Sequence, residues 1–157
     1  MQTITTDKII ELANVQAASL PDDALAMAKL SLLDWLVCAR AGIEEPLAAG
    51  LRKFAATETA TSDTSGTVGP ASIAGGGRAP VRLAAMVNGA ISHALDYDDT
   101  HFAHVGHLSV GIYPAVVATG EDIGASVTDL IAAFLLGAET AIRTCLLYTS
   151  PSPRDRG

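Results

Sequence analysis

Apolar residues in this chain recur at three- and four-residue intervals over long stretches, and no stretch sustains the apolar–polar alternation of a half-buried strand. That periodicity limits the fold to packed helices. A first helix is expected from a Thr5 or Thr6 cap to about Ala18, with Ile9, Leu12 and Ala13 on one face. A second opens at Pro21-Asp22-Asp23, turns Leu25, Ala28, Leu32, Leu36 and Ala39 inward, and stops at Gly42. Trp35 sits at helical spacing in the same core. Pro46 starts a third helix with Leu47, Leu51 and Phe54 as its apolar side, followed by a polar loop over 57–69. Pro80 starts a fourth, to about Leu95, with Leu83, Val87, Ala90, Ile91 and Ala94 facing inward. A fifth covers 109–121 and carries Pro114 as a kink point. Ser126 and Asp129 have the spacing of a capping pair before a last helix to about Thr144.

Strand character is confined to 71–74, where Gly75-Gly76-Gly77 ends it at once. The glycines match neither the dinucleotide nor the Walker phosphate pattern, so a turn is expected. The chain is all-α on this reading. Aromatic residues make up 4% while Ala is abundant, a balance that favours helices over strands. With 157 residues, 49% of them hydrophobic, the chain has about one domain's length and a core-rich composition.

Charge and patterning remove several function classes. A net charge of −7 leaves no clustered Lys and Arg for a nucleic-acid partner. The strongest apolar run, 130–138, is well short of the ~18 residues a membrane span needs. Cys38 and Cys145 form no disulfide framework and the start of the chain lacks signal-peptide order, so the cytoplasm is the expected compartment.

Proton-transfer groups are concentrated in one place. Asp96, Asp98, Asp99 and all four histidines, His93, His101, His104 and His107, lie within positions 88–107. Arg78 and Arg82 are the nearest cations in sequence that could meet a carboxylate substrate. One reading is a metal-binding helical module on His101, His104 and His107, which in a helix would step about 60° apart over an arc of about 120° but lack the H-E-x-x-H pattern. Another is a metal-free site in which a carboxylate and an imidazole move a proton on a carbon next to a carboxylate. A third is structural: Asp98 and Asp99 cap the next helix, one or two of the histidines are satisfied polar residues, and the chain is a noncatalytic helical interaction fragment.

The run Ala84-Ala85-Met86-Val87-Asn88-Gly89, then His93-Ala94-Leu95-Asp96-Tyr97-Asp98-Asp99-Thr100-His101, then Gly106-His107-Leu108-Ser109 resembles the N-terminal helical domain of the MmgE/PrpD family. That family includes 2-methylcitrate dehydratase, cis-aconitate decarboxylase and iminodisuccinate epimerase. Ala28-Lys29-Leu30-Ser31-Leu32-Leu33-Asp34 with Ala41-Gly42, and Glu139 with Arg143, add to the likeness, which covers about residues 5–144. It implies the N-terminal part of a large all-α domain, with the α/β lid domain absent from this chain. It also implies a homodimeric lyase or isomerase acting on a small di- or tricarboxylic acid, with no metal or other cofactor. By the same resemblance Asp96, Thr100 and His107 are catalytic, and His101 and His104 bind substrate on the same loop. The family usually has Pro where this chain has Leu108, and further catalytic His, Lys and Tyr residues lie beyond this chain's end. The fragment itself is expected to be inactive.

The C-terminal string from Cys145 through Tyr148-Thr149-Ser150-Pro151-Ser152-Pro153-Arg154 turns an apolar helix into a Ser/Pro/Arg segment. It resembles the translation of a sequencing-library adapter. The helical domain is therefore expected over 1–144, with 145–157 a non-native tail free of tertiary contacts.

Overall fold

A computed structural model describes residues 6–15, 17–62, 69–102 and 104–148 of the chain. The candidate cap Thr5, residues 63–68 of the polar loop and the tail from residue 149 lie outside them. Among the described residues there are six α-helices and one short hairpin, the all-α architecture expected.

Local chemistry sets most boundaries. α1 (Thr6–Ala13) stops short of Ala18 because the Asn14 side-chain amide donates to the Ile10 carbonyl at 2.7 Å; a single 3₁₀ turn, Ala17–Ser19, follows. Pro21 and Pro80 stand in extended backbone just ahead of α2 (Asp22–Gly42) and α4 (Val81–Ser92). Their carbonyls accept the first helical bonds, from Leu25 and Ala84, both at 3.0 Å. α3 (Pro46–Ser62) outlasts the expected end near Thr57, whose hydroxyl donates to the Lys53 carbonyl at 3.1 Å inside the helix. α5 (Ser109–Ile123) runs through the buried Pro114 and ends at Gly124 with φ +68°. α6 (Val127–Tyr148) opens with the expected capping pair: Ser126 N–H donates to Asp129 Oδ2 at 3.0 Å, and Asp129 N–H to Ser126 Oγ at 3.2 Å. The Ser126 bonds hold the Asp129 carboxyl below its usual range.

α6 passes Thr144 without a break and ends at Tyr148. Cys145 to Tyr148 tolerate helix, and the first proline that opposes it is Pro151. Cys145 Sγ lies 3.5 Å from the His104 carbonyl, so residue 145 has a tertiary contact where none was expected.

Strands β1 (Ala71–Ser72) and β2 (Arg78–Ala79) pair antiparallel, Ala71 with Ala79 and Ser72 with Arg78. Gly75, Gly76 and Gly77 form the turn with φ of +84°, +114° and +96°, a run that L side chains resist. Asn88 of α4 holds the hairpin, accepting from Ala74 N–H and donating to the Ser72 carbonyl, both at 2.8 Å.

Two cores result. One joins α3, the hairpin, α4 and α5 through Ala48, Ala55, Ile73, Val87, Ile91 and Ala118. The other joins α2, α5 and α6 through Ala28, Trp35, Tyr113, Ile131, Phe134 and Ala138. At its centre Tyr113 stacks on Phe134 (centroids 4.1 Å, planes 4° apart) and on Trp35 (5.8 Å, 25°), and its hydroxyl donates to the Ala28 carbonyl at 2.6 Å. Burial holds the Tyr113 phenol far above its usual range.

Small residues choose the packed faces. On α3 the buried side is Ala48, Leu51 and Ala55, while Leu47 and Phe54 are largely exposed, a correction to the expected face. On α2 the packed stripe is Ala28, Trp35, Cys38, Ala39 and Gly42. A Cβ at Gly42 would lie 2.0 Å from the Ile91 carbonyl oxygen, so glycine there serves the close crossing of α2 and α4 as well as the helix end. Met27, Leu30, Leu33, Leu36 and Val37 stand exposed on the opposite side of α2, Leu36 against expectation.

Candidate active site

The sequence Ile91-Ser92-His93 turns a helix into a site. Trp35 Nε1–H donates to Ser92 Oγ at 3.0 Å and the Ser92 hydroxyl donates to the Gly89 carbonyl at 3.1 Å, which fixes the end of α4 in the core. α4 therefore stops at Ser92 rather than Leu95. His93 caps it, its N–H still donating to Gly89 O at 3.1 Å. Asp96 then reverses the chain at φ +55°, a conformation Asp tolerates better than most residues. Two residues on, the Asp98 side chain is fully enclosed.

Asp99 anchors the loop. Its N–H donates to Asp34 Oδ2 of α2 at 3.1 Å, and its carboxylate accepts from Ser109 N–H at 3.0 Å and Ser109 Oγ–H at 2.5 Å. Of the two carboxylates considered as caps for the following helix, Asp99 is thus the one bonded at the start of α5. Between these anchors the chain doubles back: His101 N–H donates to Gly106 O at 2.9 Å and Val105 N–H to His101 O at 2.8 Å. Val105 holds φ +53°, rare for a β-branched residue. The return sets the His107 ring edge-on to His93, centroids 4.9 Å apart.

Four side chains converge there. His93 Nδ1 lies 2.8 Å from Asp98 Oδ1. His107 Nδ1 lies 3.1 Å from both the Asp98 carbonyl oxygen, to which it hydrogen-bonds, and Asp98 Oδ2. On the other edge of both rings, Asp96 Oδ1 is 3.6 Å from His93 Nε2 and 3.5 Å from His107 Nε2. Carbonyl and carboxylate oxygens accept, so both rings carry a proton on Nδ1, and in its neutral form each ring presents a lone pair at Nε2. Asp98 sets both rings from beneath, and Asp96 faces them from the solvent side.

The expected site residues divide between this cluster and a neighbouring cavity. Asp96 and His107 meet directly. Thr100 and His101 instead line a cavity of about 400 Å³ between α2 and α6, with Asp99, Ser31, Phe134 and Glu139 also on its wall. His104 turns away: its N–H donates to His101 Nδ1 at 3.1 Å, and its own Nδ1 is buried without a hydrogen-bond partner. His101, His104 and His107 therefore do not form the three-histidine metal set; among the described residues the metal-compatible group is His93, Asp96, Asp98 and His107. The sequence pattern assigns His93 and Asp98 no catalytic role; the signal that marks them is the three- and five-residue spacing from His93 to Asp96 and Asp98 across a helix end.

The expected cations are placed elsewhere. Arg78 is committed to the hairpin, its Nε donating to Gly69 O and its Nη1 to Ser72 Oγ, both at 3.0 Å, with Nη2 on the Pro70 carbonyl. Arg82 stands in the first turn of α4, the end opposite His93. Arg143 pairs with Glu139 on α6.

The MmgE/PrpD N-terminal domain matches residues 11–155. The chain belongs to the MmgE/PrpD family. The match spans nearly the whole sequence, and the all-α fold is that of the family's N-terminal domain. Neither the curated proteins nor the solved structures contain a match. Membership in MmgE/PrpD makes lyase-type chemistry the relevant class. No helix among the described residues is long and apolar enough to cross a membrane.

Proposed function

We propose that this chain is the N-terminal part of a cofactor-free lyase or isomerase acting on small di- or tricarboxylic acids, of the 2-methylcitrate dehydratase kind, with His93, Asp96 and His107 as its proton-transfer group. The observation that carries the reading is the approach of Asp96 Oδ1 to both Nε2 atoms at 3.5 and 3.6 Å, with Asp98 behind both rings. An Nε2 lone pair takes the proton from the carbon next to a substrate carboxylate. The imidazolium so formed lies between the Asp96 and Asp98 carboxylates, which stabilise its charge. Returned to a leaving hydroxyl, the same proton completes a dehydration; returned to carbon, it completes an isomerisation. The adjoining cavity with Thr100 and His101 on its wall suits the remainder of the substrate. On this reading His104 supports the loop rather than touching substrate.

Homodimeric assembly and a cytoplasmic location belong to the same proposal, the first supported by the exposed apolar side of α2. So does the foreign origin of residues 145–157: coding DNA read independently beyond the Thr144 codon should give a different continuation, and recovery of the same tail would refute it. In the longer protein, Asp96→Asn and His107→Ala should each lower turnover of the tricarboxylic or dicarboxylic substrate by roughly 10²-fold or more. Turnover within a few-fold of wild type for both variants would refute the assignment. The 157-residue chain alone should turn over none of 2-methylcitrate, cis-aconitate or iminodisuccinate, because among the described residues the cations that stabilise a developing carboxylate charge are not assembled at the site.

A further inference from the structure

With the proton of each neutral ring on Nδ1, toward Asp98, the two Nε2 atoms and Asp96 Oδ1 face one another as electron-pair donors. Both Nε2 atoms lie within 3.6 Å of Asp96 Oδ1, and a cluster of electron-pair donors this close is stabilised by a cation held among them, a metal ion as well as a proton. We propose that His93 Nε2, His107 Nε2 and Asp96 Oδ1 bind one transition-metal dication of the zinc class, with Asp98 as the buried residue that orients both histidines. The inference is separate from the acid–base reading: the ion would occupy the lone pairs that reading uses, and so act as an inhibitor of it rather than a cofactor.

Two of the three ligand spacings favour a tetrahedral ion. Zn–N and Zn–O bonds of about 2.0–2.1 Å put tetrahedral ligand atoms about 3.3–3.4 Å apart, whereas a six-coordinate ion at the same radius needs about 2.9–3.0 Å. The observed 3.5 and 3.6 Å are reached from the tetrahedral spacing by a shift of 0.2–0.3 Å, about what one side-chain rotation supplies. The donor set agrees: two imidazoles and one carboxylate suit zinc, cobalt or iron(II), while magnesium and calcium require oxygen.

An independent observation points the same way. The Asp98 carboxylate is fully enclosed, yet its Oδ2 lacks a hydrogen bond among the described residues, although it lies 3.1 Å from His107 Nδ1. An ionised oxygen left so is costly to bury. A dication on the far side of the ring draws density through the imidazole and strengthens the contact of Nδ1–H with that oxygen, the carboxylate–histidine–metal relay of known zinc sites. His93 also caps the C-terminal end of α4, where the helix dipole favours positive charge. Three protein ligands leave the fourth position of a tetrahedral ion open on the solvent side, where Asp96 is 74% exposed.

The test uses the whole 157-residue chain, with zinc chloride, cobalt(II) chloride and magnesium chloride as probes. Titration calorimetry should find one zinc per chain and no magnesium binding at equal concentration. Bound cobalt should show the intense visible bands of a tetrahedral site. In long-range ¹H–¹⁵N spectra of the unmutated protein, zinc should move the Nε2 signals of His93 and His107 and leave those of His101 and His104 in place. His93→Ala or His107→Ala should weaken binding by at least about 10–100-fold, and Asp98→Asn by a similar factor acting through the rings. Glu44→Gln, in an exposed pair with Arg40 at the far end of α2, should leave the affinity unchanged. Failure to bind zinc, equal binding of magnesium, or zinc shifts centred on His101 and His104 would each overturn the proposal, and none of these outcomes bears on the turnover test of the acid–base reading.

Discussion

Replacing Asp98 by Asn keeps the shape of the side chain and removes one lone-pair face, which makes it the sharpest probe of the site. The enclosed carboxylate accepts from His93 Nδ1 at 2.8 Å and lies 3.1 Å from His107 Nδ1. An amide can face an acceptor to only one of them. If its oxygen stays on His93, its NH₂ meets the Nδ1–H of His107 at about the same 3.1 Å separation, donor against donor. His107 must then give up its bond to the Asp98 carbonyl and move its proton to Nε2, where it points at Asp96. The neutral bond of His107 to the Asp98 carbonyl is lost and the His93 bond drops from charge-assisted to neutral, about 1 kcal/mol each, and part of this is regained from the new amide bond. A net destabilisation of about 1–2 kcal/mol corresponds to a fall in Tm of roughly 2–8 °C for a chain of this size. Thermal unfolding measures the first effect, and ¹⁵N shifts of the imidazoles measure the second, with one histidine changing from Nδ1–H to Nε2–H. An unchanged Tm together with unchanged tautomers at both rings would refute the claim that Asp98 sets them.

Two further outcomes follow from the packing. Gly42→Ala places a Cβ 2.0 Å from the Ile91 carbonyl, so α2 and α4 must part by more than 1 Å; overpacking of about 1–3 kcal/mol outweighs the roughly 1 kcal/mol that alanine gains over glycine in a helix, and a Tm equal to or above wild type would contradict this. Burial first, then the neighbouring carboxylates Asp34, Asp98 and Asp99, push the Cys38 thiol up from its ordinary value. The unfolded thiol therefore loses its proton first as pH rises, so this contribution to stability is full below the ordinary thiol range and declines above it. Alkylation of native Cys38 at pH 8.5 should be much slower than in denaturant, and equal rates would show that the thiol is not enclosed.

The helical class, the glycine turn, the Ser126–Asp129 cap and the location of the chemistry in the 88–107 segment were legible in the sequence, because each depends on residues near one another in the chain. Periodicity reports local order well. It failed on α2 and α3 for a physical reason: both helices are apolar on more than one side, so the spacing of Leu47 and Phe54, or of Leu36, does not say which side is packed. The close crossings take the small residues, Ala48, Ala55 and Gly42, and leave larger ones outside. Four histidines in fifteen positions likewise announce a site without choosing among themselves. The choice was made by Trp35 and Ser92, 57 residues apart, which end α4 so that His93 turns out of it, and by the reversed backbone at Asp96 and Val105, which returns His107 to face it. Asp98 acquired its role only by being buried between the two rings, since a carboxylate orients an imidazole through distance and enclosure, and neither exists until the helices have packed.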